Sequence, residues 1–285
     1  MAESTTDGGG TVLVLGATGR TGRLVAAGLR ARGLPVRPAA RSGPRTVRFD
    51  WDDARTWDAA VEGVGAVYVV TPEDPGFDAG KVASFMACAA RAGVRRCVLL
   101  SGLSAGYGSR PMASREIPVR ESPMEWTILR PGSFQQVFGG EPYLTALRTG
   151  ELRLPLGPGP GPYNAPIDVA DIADVAVAVL AGGHAGRTYP LSGPRALTYQ
   201  DIMSIIAGET GRAVTVIDEP VERWAERKRA AGASEAALSW SLETFAAIRR
   251  GEYARLHDGV RLVLGREPRD FTAYAGTAAK EGVWA

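Results

Sequence analysis

The scarce residues narrow the chemistry first. Only two cysteines are present, Cys88 in the apolar run VASFMACAA and Cys97 in RCVLL. Neither has a histidine or another cysteine at ligand spacing, so no zinc site or disulfide framework is expected, and both read as small core residues of an intracellular protein. The only histidines, His184 and His257, lie in polar stretches near glycine, which leaves a His-centred triad little to be built from. Lysine stands only at Lys81, Lys228 and Lys280. No apolar run approaches the ~20 residues of a membrane helix. The opening MAESTTDGGG lacks the basic and apolar segments of a secretory leader, so residues 1–10 read as a frayed tail. No membrane association is expected, and the expected location is the cytoplasm. Excess charge of one sign is also missing: the formal net charge is +2, which argues against direct nucleic-acid binding through phosphate attraction.

What is present is an alternation of short β-branched or apolar runs with helical spacing. Strands are predicted at 11–15, 35–40, 46–49, 66–70, 96–100 and 126–130, and helices at 20–33, 54–61 and 77–92. Continuous apolar strands separated by helices indicate an α/β fold, a doubly wound parallel sheet of Rossmann type with ligands at the carboxyl ends of its strands. After Pro131 the regularity fades. The stretch 155–166, PLGPGPGPYNAP, reads as a loop, and helices are predicted at 168–180, 198–210, 221–230, 235–249 and 271–279. Strand signals persist at 188–191 and 213–217. The expected organisation is a Rossmann domain over 11–150, with 165–192 contributing to it, and a smaller, mostly helical lobe over 151–285 that closes on the cofactor cleft.

The strongest motif is Gly16-Ala17-Thr18-Gly19-Arg20-Thr21-Gly22, which follows a strand and opens a helix. Gly16 permits the tight turn, Gly19 lets the backbone approach a pyrophosphate, and Gly22 allows helix to pack on strand. The helix N-terminus then offers N–H groups and a positive dipole end to the phosphates. At the end of the second strand, NAD-binding proteins place an acid for the ribose hydroxyls. Here that position reads Arg41-Ser42, with a planar cationic fork and a hydroxyl suited to a 2′-phosphate, so NADPH is the expected cofactor. Arg20 adds a second cation. Asp50, after the third strand, is a candidate acceptor for the adenine amino group. Thr71 and Pro72 end the fourth strand beside the expected ribose, and Ser101 ends the fifth, facing the nicotinamide.

These segments resemble the NmrA-like branch of the atypical short-chain dehydrogenase/reductase superfamily. The matching pieces are GATGRTG, AARSG at 39–43, FDWDD, AVYVVTP at 66–72, VLLSGLSA at 98–105, EWTILRPGSFQQVF at 125–138 and IDVADIADVA at 167–176. LGREPRDFTAYA at 264–275 is similar to the family's C-terminal helix. The resemblance implies an NADPH-binding Rossmann domain with a substrate cleft below a small lobe. It also implies that Pro131, Gly132, Ser133 and Phe134 line the nicotinamide end and that Pro166, Ile167 and Asp168 sit where the lobes join. The family includes quinone reductases, natural-product tailoring enzymes and redox sensors that bind NADP without turnover.

Reductases of the wider superfamily use Tyr-x-x-x-Lys, and this chain has no such motif. Tyr107 is the candidate proton donor, but Arg110-Pro111 follow it, and proline is expected to break the helix that would carry a partner. Arg115, Glu116, Arg120 and Glu121 have the spacing of surface pairs on an exposed helix. Hydride transfer to an electron-poor quinone needs less proton assistance than carbonyl reduction. Tyr107, Phe134, Phe138, Tyr163, Trp224 and Trp240 are the aromatics available for an apolar pocket, with Phe134 and Tyr163 preferred and Tyr163 placed in a loop that could act as a lid. The favoured reading is an NADPH-dependent reductase of a quinone or polycyclic aromatic. The Ala/Arg/Gly/Pro-rich composition suggests a GC-rich bacterial genome, in which such an enzyme would tailor an aromatic polyketide. A non-catalytic NADP(H) sensor is the alternative, and an epimerase using transient redox has little direct support. A homodimer through surface helices stays open.

Overall fold

The computed structural model describes residues 10–74, 76–157 and 163–285. The tail at residues 1–9 and residues 158–162 of the Pro/Gly loop therefore lie outside the described residues. In chain order the strands are β1 (Thr11–Leu15), β2 (Val36–Ala40), β3 (Val47–Arg48), β4 (Val64–Val70), β5 (Arg96–Leu100), β6 (Glu125–Pro131), β7 (Glu151–Leu154), β8 (Arg187–Leu191) and β9 (Thr215–Asp218). The helices are α1 (Gly22–Ala31), α2 (Trp57–Val61), α3 (Ala79–Arg91), α4 (Arg110–Arg120), α5 (Tyr143–Thr149), α6 (Val169–Leu180), α7 (Tyr199–Thr210), α8 (Val221–Ala230), α9 (Glu235–Arg249), α10 (Gly259–Leu264) and α11 (Phe271–Lys280).

Seven strands form one parallel sheet in the order β3-β2-β1-β4-β5-β6-β8. The order reverses at β1, between β2 and β4, which opens a crevice at the carboxyl edge. Successive side chains point to opposite faces, and both faces are covered. Leu13, Leu15, Val67, Val69, Cys97 and Leu99 pack with Trp57 of α2 and Phe85 and Cys88 of α3 on one side. Val12, Val14, Tyr68, Val98 and Leu129 pack with Val25 and Leu29 of α1 and Ile172, Val175 and Val179 of α6 on the other. Burial on both faces explains why these strands read as unbroken apolar runs.

A second core gathers Phe138, Tyr143, Leu147, Leu152, Ile202, Ile206, Phe271 and Trp284. It sits beside a two-stranded parallel sheet, β7 with β9. The junction with the Rossmann sheet is hydrogen bonded: Ile167 N donates to Ser133 O at 2.9 Å, and Gln135 N donates to Ile167 O at 2.8 Å. Asp168 caps α6, accepting from Ala170 N at 2.8 Å. No helix among the described residues is long and apolar enough to cross a membrane.

Two sequence expectations are corrected by α4. Proline does not break it: Pro111 lies in the first turn, where an N–H would have no intrahelical acceptor, and Pro118 is carried within the helix. Nor are its charges all at the surface, since Arg115 and Glu116 are each only 2% exposed. The helix packs beside α3 and against β5 and β6, and these two side chains bond to residues at the carboxyl ends of β4, β5 and β6. Helices α5 and α10 and strand β7 carry too few residues to show a period and were not foreseen.

Candidate active site

The site begins where β1 ends. Gly16 has φ +62°, a conformation that a side chain would strain. Gly19 N donates back to Gly16 O at 2.8 Å. A Cβ on Gly22 would stand 2.2 Å from Gly16 O, so only glycine lets α1 start this close to the strand. Ala17 N donates to Ala39 O at 3.0 Å, which ties the loop to β2. Thr18, Gly19 and Arg20 are exposed, whereas Thr21 and Gly22 are buried. Helix α1 has no side-chain cap and no acid in its first turn. Its positive end is thus left for an external anion, and the loop's glycine-shaped cradle fits a pyrophosphate.

Arg41 and Ser42 are exposed just after β2. Gly43 follows them beside Thr18, whose methyl group lies 3.1 Å from where its Cβ would be. The turn that carries Arg41 therefore runs beside the phosphate loop. Asp50 is partly engaged in its own turn: its carboxylate accepts from Asp52 N at 3.0 Å, and its carbonyl accepts from Trp57 Nε1 at 2.8 Å. Trp51 Nε1 donates to Val70 O at 3.1 Å and pins this corner to the end of β4.

The carboxyl ends of β4 to β6 meet α4 in a buried polar cluster. Ser101 Oγ donates to Glu116 Oε1 at 2.7 Å. Arg130 reaches the same carboxylate through Nε at 2.8 Å and Nη2 at 2.6 Å, and Arg120 Nη2 adds a bond at 3.0 Å. Burial pushes the Glu116 carboxyl up, but the bonds from Arg130, Ser101 and Arg120 outweigh it and hold the group below the usual glutamate range. With its proton given to Glu116, the Ser101 oxygen is free only to accept. Arg115 Nη1 donates to Thr71 Oγ1 at 3.0 Å and to Pro72 O at 2.8 Å, so Thr71 and Pro72 are held from α4. Burial lowers the Arg115 pKa, with Asp74 pulling the other way.

A cavity of about 330 Å³ opens over this floor, walled by Arg20, Ser101, Arg115, Phe134, Trp240 and Tyr253 among others. Pro131 and Gly132 also line it. A smaller cavity of about 190 Å³ shares Ser104, Trp240, Thr244 and Tyr253 with it and carries Tyr107 on its own wall. Tyr107 Oη lies 3.2 Å from His257 Nε2, a pairing across 150 residues that local sequence could not reveal. Burial raises the Tyr107 pKa, and burial followed by the charge of Arg255 lowers that of His257. At neutral pH the pair is therefore a protonated phenol beside an uncharged imidazole.

Of the aromatics considered from sequence, Phe134 and Trp240 line the main cavity. Phe138 and Trp224 are core residues. Tyr163 packs against the lobe core, its N donating to Leu197 O at 3.0 Å, and it is on the wall of neither cavity. Sequence reasoning missed Met112, Arg115 and Tyr253 as wall residues.

A family model described as NAD(P)H-binding matches residues 16–182. The chain is 33% identical to the NAD(P)H azoreductase of Xenophilus azovorans, covering 93% of this chain and 96% of that protein. It is 36% identical to the (4-alkanoyl-5-oxo-2,5-dihydrofuran-3-yl)methyl phosphate reductase of Streptomyces griseus subsp. griseus, covering 70% of this chain and 74% of that protein. Among solved structures, the NADPH-dependent quinone oxidoreductase of Escherichia coli, complexed with NADPH, superposes with a TM-score of 0.81 at 20% identity over 93% of this chain and 99% of that one.

Proposed function

The chain belongs to the NAD(P)H-binding family of Rossmann proteins, and from that premise we propose that it is an NADPH-dependent reductase of a quinone or other electron-poor polycyclic aromatic. The observation that carries this reading is the main cavity. It joins the phosphate loop to an aromatic wall of Phe134, Trp240 and Tyr253 at the carboxyl ends of β4 to β6. When bound, the dihydronicotinamide supplies a hydride, which together with one proton from solvent converts a quinone to a hydroquinone. The protein's share is positioning. The loop at residues 16–22 holds the pyrophosphate, and Arg41 and Ser42 hold a 2′-phosphate, favouring NADPH over NADH. Asp50 faces the adenine, and Thr71, Ser101 and Pro131 set the nicotinamide end. Phe134, Trp240 and Tyr253 offer flat faces to an aromatic acceptor and exclude water. Nothing in this scheme needs Tyr-x-x-x-Lys, which the sequence lacks. Two relatives, an azoreductase and a reductase of a (4-alkanoyl-5-oxo-2,5-dihydrofuran-3-yl)methyl phosphate, support reduction of an electron-poor conjugated acceptor. Tailoring of an aromatic polyketide is the metabolic setting proposed for it.

A second reading, an NADP(H)-binding regulator, draws on the placement of Tyr107 in the side cavity with His257 rather than over the nicotinamide end. Single-turnover oxidation of bound NADPH, followed by nicotinamide absorbance after mixing with a panel of quinones and azo dyes, separates the two. Fast, protein-dependent oxidation is the expected result. Tight NADPH binding without oxidation by any acceptor overturns the reductase reading and favours the regulator.

A further inference from the structure

Arg115 carries a charge that cofactor binding and hydride transfer do not use. Its three hydrogen bonds go to Thr71 Oγ1 and to the carbonyls of Pro72 and Asp74, all of them uncharged acceptors. Among the described residues no carboxylate stands at ion-pair distance from it. A guanidinium has five N–H donors, and the Nε–H of Arg115 is buried without a partner. The group lies between two rings, its Cζ 5.1 Å from the Phe77 centroid and 6.0 Å from that of Trp240. It forms part of the main cavity wall together with Ser101 and Phe134.

A buried cation without an ion-pair partner is costly, and the charge of Asp74 offsets that cost only in part, since burial outweighs it. Loop carbonyls satisfy donors but do not neutralise the charge. With little water around the guanidinium, its field crosses the cavity weakly screened. The other charged groups on the wall do not substitute for it. Arg20 stands at the mouth of α1, where the pyrophosphate is held, and Glu73 is exposed, so solvent screens it.

We propose that Arg115 is the anion-recognition residue of the substrate site, and that the acceptors this cleft selects are electron-poor aromatics bearing a carboxylate, sulfonate or phosphate group. The acceptor's ring lies against Trp240, and its charged group is drawn toward the Arg115 guanidinium in the cavity wall. This deepens the reductase reading and rests on it for the position of the acceptor.

The test uses full-length protein saturated with NADPH. Calorimetric titration compares naphthalenesulfonate with uncharged naphthalenemethanol, neither of which can be reduced. Wild type is expected to bind the sulfonate tighter by about tenfold or more, the scale of one charge-assisted hydrogen bond. Arg115→Gln is expected to abolish that ratio and Arg115→Lys to keep part of it. In turnover, the KM ratio of a naphthoquinone to its sulfonate should follow the same order across the three proteins. Equal binding of the two ligands by wild type overturns the proposal and requires no variant to fold. A preference that survives in Arg115→Gln overturns it too. The two readings fail separately: Arg115-dependent sulfonate binding without any NADPH oxidation removes the reductase and keeps the anion site, whereas turnover without charge preference does the reverse.

Discussion

At the scale of single residues, Arg41 and Gly22 make the cofactor site most open to test. Arg41 is exposed beside the phosphate loop, and its proposed partner is the 2′-phosphate. Arg41→Asp should raise the NADPH dissociation constant by roughly tenfold to a hundredfold, the worth of a charge-assisted pair, and leave that of NADH nearly unchanged. Fluorescence titration of both nucleotides checks this, and equal losses would remove Arg41 from the 2′-phosphate site. Gly22→Ala drives a Cβ to 2.2 Å from a backbone oxygen that cannot yield. It should lower the melting temperature and weaken both nucleotides together, which separates a steric defect in the loop from a charge effect at the ribose. Both residues were legible in sequence because their roles follow from local backbone geometry and strand order. Arg115, Glu116 and Tyr253 were not, because a charged residue on a helix has the same local pattern whether it faces water or a neighbouring strand.

At the scale of elements, α4 and α6 each hold the site by buried charge. Glu116 on α4 joins β5 through Ser101 and β6 through Arg130. Its folded pKa is depressed below the ordinary 4.5, so the folded state prefers the carboxylate. Its contribution is fully present above that ordinary value and is lost as pH falls through the lower, folded one. Glu116→Gln should therefore flatten the acid limb of a plot of melting temperature against pH while lowering stability at neutral pH. A variant whose acid limb matches wild type would show that the cluster does not tune this response. On α6, Asp171 is fully buried and pairs with Arg266 at 2.7 Å and with Arg269. It also accepts from Arg269 N at 2.6 Å, which clamps the segment between α10 and α11 onto the Rossmann sheet's covering helix. Because both arginines are partly exposed, Asp171→Asn should cost on the order of 2–4 kcal/mol, read as a shift in urea midpoint. The segment was legible in sequence only by its family resemblance, since 92 residues or more separate the paired side chains.

At the scale of the whole molecule, the cofactor cleft proposed here is lined both by the strand ends of the Rossmann sheet and by α9, so ligand binding should stabilise the protein as a unit. At a hundredfold excess over its dissociation constant, NADPH contributes about 2.7 kcal/mol, a rise of roughly 5–10 °C in melting temperature for a chain of this size. NADH at the same concentration should raise it less, and equal shifts would contradict the nucleotide preference assigned to Arg41. The doubly wound sheet and the phosphate loop were readable from the chain alone, and the nucleotide preference proposed here rests on the same reading. Each rests on short-range rules: alternation along a strand, helical spacing, and glycine where backbone must turn or approach closely. The cavity wall, by contrast, came from packing between distant segments. Trp240 and Tyr253 arrive there because α9 packs back against residues 103–107, just after β5, and Tyr107 meets His257 across 150 residues. The burial of Arg115 and Glu116 was likewise settled by which strands lie under α4. Spacing along a helix sets which residues share a face; what that face meets depends on chain far away, and with it whether a charge is solvated or becomes part of a site.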